Sequence, residues 1–221
     1  MKKAFFFDMD GVLYDSMPNH SKAWDIVMRK HGLDFTAEDC YMQEGRTGQD
    51  VIREAFLMCE NREPSEEEIW SIYDEKTAMF RELGGAKPMP GMEAVLRYLY
   101  KREAQIWVVT GSGQASLLDN LNDNFGPFFS RSRMVTAFDV DKGKPDPEPY
   151  LKAWQGSGLL KNQCYVIENA PLGVRAGKAA GLYVIAVNTG PLADQALWDE
   201  GADVVLPDIE ALMTLIKQIC E

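Results

Sequence analysis

Cysteine and histidine are scarce: the 221 residues include 4 Cys and 2 His. Cys40, Cys59, Cys164 and Cys220 form neither a Cys-x-x-Cys pair nor a close Cys/His cluster, so neither a zinc site nor a dithiol redox motif is supported. Scattered through apolar or helical contexts, they read as free thiols of a reducing compartment. Positive charge is also short. Lys+Arg number 23 against 34 Asp+Glu, a formal net charge of -11. That deficit argues against nucleic acid and against anionic membranes, which attract basic patches. It leaves room for an anionic small molecule, because a metal ion or a few local cations reverse the sign inside one cleft. No apolar run approaches the ~20 residues of a membrane span. The opening Lys pair and the run Ala4 to Phe7 stop at Asp8 with no small-residue cleavage site, so no signal peptide is expected. Repeats and low-complexity tracts are missing too. The expectation is a soluble, cytoplasmic, monomeric protein.

What is present is ordinary globular composition, 46% hydrophobic and 26% charged. The length suits one generous domain, or a core with a smaller insert. Residues 4–7 are apolar without alternation, as in a strand buried on both faces. Similar runs recur at 105–109, 164–167 and 183–187, with a weaker one at 204–206. Helical patterns lie between them at 91–101, 114–122, 147–156, 172–180 and 209–219. This alternation predicts an α/β fold with a doubly wound, parallel, Rossmann-like sheet. Residues 17–83 break it with amphipathic segments at 20–31, 49–59 and 66–83. Ser65 and Glu68 have capping-box spacing. Gly84-Gly85 ends the segment, and Pro88-Met89-Pro90-Gly91 re-enters the alternation. The division expected is a core of residues 1–15 and 86–221 and a small helical cap of residues 16–85.

In an open parallel sheet, ligands bind outside the carboxyl ends of the strands. The polar residues following each strand therefore converge: Asp8 and Asp10, Thr110 and Ser112, Glu168 and Asn169. Lys144 stands out in Gly143-Lys144-Pro145-Asp146-Pro147. Oxygen donors in this number suit Mg2+, which takes one or two carboxylates and completes its shell with water and phosphate. A Lys and a hydroxyl suit a phosphoryl group. The set implies metal-assisted phosphoryl transfer, with one carboxylate attacking phosphorus and its neighbour handling protons. Taken singly the motifs are weak. Asp-x-Asp-Gly marks turns, and Thr110-Gly111-Ser112-Gly113 alone is a strand-to-helix turn with an N-cap.

Four of these strings together resemble a haloacid dehalogenase superfamily phosphohydrolase: Asp8-Met9-Asp10-Gly11-Val12, Val109-Thr110-Gly111-Ser112, the Lys144 string, and Val166 to Val174. The helical insert after the first strand, with Pro18-Asn19-His20-Ser21-Lys22-Ala23-Trp24, is most similar to the β-phosphoglucomutase-like branch. The resemblance implies Asp8 as nucleophile and metal ligand. It implies Asp10 as general acid/base, giving a backbone carbonyl to the metal. Thr110 would bond the phosphoryl oxygens, and Lys144 would hold the nucleophile and offset charge. Glu168 and Asn169 would sit at the Mg2+ site, where the family often has two acidic residues. The branch also implies that His20 assists Asp10.

The loop Glu44-Gly45-Arg46-Thr47-Gly48-Gln49-Asp50 is the candidate for substrate specificity. Arg46, Lys76 and His20 form an expected distal phosphate site, with Gly111 and Ser112 on the core side. A carboxylate aimed at phosphate repels it. Glu44 therefore makes sense as a metal ligand that replaces the charge missing at Asn169. Glu44, His20, Lys76 and Asn169 together look like a pyrophosphatase-type member of the branch. The expected substrate is thus inorganic pyrophosphate or another very small phosphate ester. The alternatives are a β-phosphoglucomutase, which needs a bisphosphate activator, and a sugar- or glycolate-phosphate phosphatase. A non-catalytic binding module is disfavoured because Asp8, Asp10, Thr110 and Lys144 are all intact. Asp10 likewise disfavours a dehalogenase.

Overall fold

The computed structural model describes residues 2–112, 117–126 and 128–221. Strand β1 (Ala4–Phe7) is buried along its whole length. Its lack of alternation has a direct cause. Phe5 and Phe7 pack on one face with Val95, Leu96 and Val108, while Ala4 and Phe6 meet Trp107, Val166 and Val174 on the other. Each buried Phe contributes about 1.5–3 kcal/mol.

A short ribbon strand, β2 (Tyr14–Asp15), follows. Then come helices α1 (Met17–Lys30), α2 (Ala37–Met42), α3 (Gly48–Glu60) and α4 (Glu66–Glu82). Strand β3 (Lys87–Pro88) pairs antiparallel with β2, so the two connections to the helices run side by side. Beyond it strands and helices alternate: α5 (Met92–Lys101), β4 (Gln105–Val109), α6 (Leu117–Phe125), β5 (Met134–Val135), α7 (Glu148–Ser157), β6 (Cys164–Glu168), α8 (Pro171–Ala179), β7 (Tyr183–Val187), α9 (Asp194–Asp199), β8 (Val204–Leu206) and α10 (Ile209–Cys220).

The main sheet runs β5-β4-β1-β6-β7-β8, with every pairing parallel. This is the doubly wound sheet the alternation predicts. The strand order reverses at β1, which lies between β4 and β6. That switch point opens a crevice at the strands' carboxyl ends.

Helices α1 to α4 carry an apolar core of their own, including Trp24, Met28, Phe35, Ile52, Phe56 and Ile69. The Ser65–Glu68 capping box forms as expected, and Thr36 with Asp39 builds a second one at α2. The sequence pattern missed α2, α9, β5 and the β2–β3 ribbon. Each is six residues or shorter, too short to establish a period. Helix α1 begins at Met17 rather than at residue 20, because Pro18 fits the first turn of a helix. The helix expected over 114–122 is described from Leu117 to Phe125, and its residues 114–116 lie outside the described residues. Among the described residues no helix is long and apolar enough to cross a membrane.

Candidate active site

Asp8 is the first residue past β1, and its amide still bonds Ile167 of β6 at 2.9 Å. The sheet ladder thus fixes its backbone. Its carboxylate accepts from Lys144 Nζ. That ammonium also donates to Glu168 Oε1 at 2.6 Å and to the Val109 carbonyl at 3.1 Å. Lys144 is only 2% exposed. Burial raises the Asp8 carboxyl to about 8; Lys144 acts against this, and the charges of Glu168 and Asp10 add to it. Several carboxylates around one ammonium leave surplus negative charge.

Asp10 sits one turn into the loop. Ser16 stands at the N-terminus of α1 but makes no side-chain cap. Its hydroxyl donates instead to Asp10 Oδ1 at 2.6 Å. His20, one turn into the same helix, brings Nε2 to 3.3 Å from the same oxygen. Behind it, Lys76 Nζ lies 2.6 Å from His20 Nδ1. An ammonium has only donors, so Nδ1 accepts and Nε2 carries the proton toward Asp10. Burial and the Lys76 charge both hold His20 below its usual range. Burial favours neutral Asp10, but the contacts to His20 and Ser16 outweigh it and hold the carboxyl at about 2. His20 also stacks on Phe80, with centroids 3.9 Å apart and planes 10° off parallel. Lys76 lines the cavity, and its contact to His20 occupies one of its three ammonium protons.

Thr110 follows β4, and its amide bonds Val135 of β5 at 2.9 Å. Its Oγ1 accepts from the Ser112 amide at 3.0 Å. That bond leaves the hydroxyl proton available to an oxygen in the cleft. Gly111 and Ser112 line the cavity as expected. Arg46 also lines it, but its own loop holds it: Nε donates to Gln43 Oε1 at 2.6 Å, and Nη2 is 3.5 Å from Glu54.

Glu168 lies at the end of β6 beside Asn169, where it was expected. It is fully buried, and protein donors occupy both carboxylate oxygens. Oε1 takes Lys144 and the Tyr150 hydroxyl, each at 2.6 Å. Oε2 takes the amides of Asn169 and Ala170 at 3.1 and 3.4 Å. Glu168 therefore anchors Lys144. Asn169 and Glu44 do meet: Asn169 Nδ2 donates to Glu44 Oε1 at 2.7 Å. Burial raises the Glu44 carboxyl well above its usual range.

The donor set fits a hydrated Mg2+. Asn169 Oδ1 is buried and has no hydrogen-bond partner among the described residues. An orphaned oxygen among surplus carboxylates is what a hard cation satisfies. Among the described residues no three His, Cys, Asp or Glu side chains cluster as a ready metal cage. Mg2+ does not require one, since it takes few protein ligands and keeps water.

A cavity of about 440 Å3 covers these groups. Asp8, Asp10 and Thr110 form its floor, and Trp24, Tyr73 and Phe80 stand on the opposite wall. Ser16, Tyr150 and the aromatic wall were not among the sequence candidates. Only Ser16 left a signal, a cap-type residue just before Met17-Pro18, and Pro18 suits the first turn of a helix.

A carboxylate pair at the switch point of a doubly wound sheet, roofed by inserted helices, defines a hydrolase class. The sequence profile of haloacid dehalogenase-like hydrolases matches residues 2–181, and the chain belongs to that family. It is similar to hexitol phosphatase A of Escherichia coli (strain K12), 32% identical over 98% of this chain and 95% of the relative. It is also similar to a phosphorylated carbohydrates phosphatase of Thermotoga maritima, 29% identical over 98% and 99% of the two chains. A solved structure from Bacteroides vulgatus, provisionally described as a beta-phosphoglucomutase, is 46% identical with a TM-score of 0.93; the match covers 99% of this chain and 88% of that one. These relatives bear out the phosphatase class and the β-phosphoglucomutase-like branch. They do not support pyrophosphate as the substrate; the sugar-phosphate alternative has their backing.

Proposed function

We propose that this chain hydrolyses the phosphate ester of a small phosphorylated sugar or polyol through an aspartyl-phosphate intermediate. In this reading residues 16–85 act as a cap over a core of residues 1–15 and 86–221. The observation that carries it is the Asp8–Lys144 pair beneath a cavity that Asp10 and Thr110 also line. An Asp8 oxygen bonds to phosphorus as the ester oxygen departs. Lys144 aims Asp8 and offsets the developing charge. Thr110 donates its hydroxyl proton to a phosphoryl oxygen. Asp10 protonates the departing oxygen, then takes a proton from the water that attacks phosphorus and frees Asp8. Asp10 is ionised in the resting site; an incoming phosphate dianion raises its proton affinity, and the proton it delivers is taken up from solvent as the substrate binds. Asp8, the Asp10 backbone carbonyl, Asn169 and Glu44 would hold Mg2+. When bound, the ion supplies charge neutralisation at the phosphoryl oxygens.

The relatives' names favour a sugar or polyol, and the aromatic wall offers an apolar face to such a ring. A second reading, inorganic pyrophosphate, is favoured by one observation. Glu44 reaches the site from outside the core, and a closure that tight suits a compact anion. Phosphate release with Mg2+, measured across hexose and hexitol phosphates, glycolate phosphate and pyrophosphate, decides. Turnover of a sugar or polyol phosphate is expected. Turnover of pyrophosphate alone moves the assignment to the second reading. Isomerised sugar without net phosphate release makes the chain a mutase. No release from any of them overturns the proposal.

A further inference from the structure

One buried group beneath the cavity floor has no part in the reaction just described. Tyr150, on α7, is fully buried. Its hydroxyl donates to Glu168 Oε1 at 2.6 Å, the same oxygen that accepts Lys144 at 2.6 Å. Its ring also lies 5.1 Å from Lys144 Nζ, within cation–π range. Tyr150 does not line the cavity, so it has no route to substrate. Burial first, then the charges of Glu168 and Asp8, push its phenol well above the usual range, so it remains a donor.

The arrangement divides one cation between two anions. Lys144 has three protons, and its three partners are Asp8, Glu168 and the Val109 carbonyl. How closely it holds Asp8 depends on how much of the Glu168 charge other donors satisfy. Two backbone amides satisfy Oε2. On Oε1 the only donor besides Lys144 among the described residues is the Tyr150 hydroxyl. Without it, a buried carboxylate oxygen would depend on the ammonium alone and draw it away from Asp8.

We propose that Tyr150 is a positioning residue for phosphoryl transfer. Its hydroxyl shares Glu168 with Lys144 and so keeps the ammonium on Asp8. This rests on the reading of Asp8 as nucleophile. Because Tyr150 touches no part of the cavity, its effect falls on the chemical step and not on substrate binding.

The test is Tyr150→Phe in the full chain, with p-nitrophenyl phosphate and saturating Mg2+. The variant keeps the ring and loses only the hydroxyl. We expect kcat to fall about tenfold with KM changed by less than about twofold, the split that marks loss of a group acting on the chemical step. Wild-type kcat in the variant overturns the proposal, as does a loss confined to KM. Wild-type protein that releases no phosphate overturns the catalytic reading itself, which separates the two failures. Should Tyr150→Phe lose its cooperative melt, 4-fluorophenylalanine placed at position 150 fills the space of the hydroxyl but cannot donate to Glu168. The same fall in kcat at unchanged KM is expected, and wild-type kcat overturns the proposal.

Discussion

Glu44, beyond the end of α2, and Asn169, beyond the end of β6, meet at 2.7 Å, Nδ2 donating to Oε1. Gly11 makes the meeting possible. Its φ is +78°, and a Cβ there would lie 2.0 Å from Asn169 Nδ2 and 3.0 Å from Glu44 Oε1. Donation from Nδ2 leaves Asn169 Oδ1 without a hydrogen-bond partner among the described residues, free to serve a metal ion. Glu44→Gln keeps an acceptor for Nδ2 but removes the charge. Its Mg2+ half-saturation should rise about tenfold or more, as when a supporting ligand is lost. kcat at saturating Mg2+ should stay near wild type. A Mg2+ titration of activity that matches wild type removes Glu44 from the metal site.

Loss of Asp8 and loss of Lys144 should separate activity from stability. Asp8→Asn leaves Lys144 paired with Glu168, so the chain should fold. Its turnover should drop by on the order of 10⁴-fold or more, as for a nucleophile that acts as part of a unit. Rapid quench should then trap no phosphoenzyme. Lys144→Met instead leaves Asp8 and Glu168 buried together without their cation. Breaking a buried ion pair from one side costs about 3–5 kcal/mol. Urea melts should therefore place Lys144→Met well below Asp8→Asn. Equal midpoints would show that the Lys144 charge does not hold the floor together.

The contrast reflects what a sequence can reveal. Asp8, Thr110 and the Glu168–Asn169 pair were legible because a parallel sheet brings its strand ends to one edge, whereas Lys144 stood out through its Gly-Lys-Pro string. Strand identity alone therefore places the polar residues that follow. The inserted helices gave no such guide. Lys76 and Arg46 lie on helical and loop positions whose partners, His20 and Gln43, are set by packing between elements. Tyr150 reads as one more core aromatic until Glu168 is found against its hydroxyl. Glu168 was placed at the correct strand end, but the donors around it were not foreseen. Its position follows from the strand, whereas its four donors follow from the tertiary fold.

Lys76 links pH to stability. Burial lowers its pKa from 10.5 to about 8, against the pull of Asp10. Between those values the unfolded chain binds a proton that the folded chain has released. Stability from this group therefore rises with pH across that window. Below about 8 both states are charged, and the full cost of burying the ammonium is present. Lys76→Met removes that cost. Between pH 7 and pH 10.5 the stability of wild type should rise relative to the variant by on the order of 3 kcal/mol. Activity should fall, because His20 Nδ1 loses its donor. Urea midpoints for both proteins at several pH values test this. A gap that does not change with pH sinks the assignment.

Gly111 is where the core meets the loop from the inserted helices. A Cβ on it would lie 3.1 Å from the carbonyl oxygens of both Gly45 and Arg46. Those are backbone atoms, which cannot swing aside as a side-chain end does. Gly111→Ala must therefore shift the loop by a few tenths of an ångström. Glu44 is next to Gly45, so it would move off Asn169 at the same time. The core packing is untouched, and the melting temperature should stay within about 2 °C of wild type, as for a surface change away from packed groups. kcat/KM should fall about tenfold, because a small displacement of positioning groups weakens the reactive geometry. The Mg2+ half-saturation should rise in step, linking this substitution to Glu44→Gln. Combining the two should cost less than the product of the single effects, because both disturb one contact. A fully multiplicative double variant would show that Gly111 and Glu44 act independently.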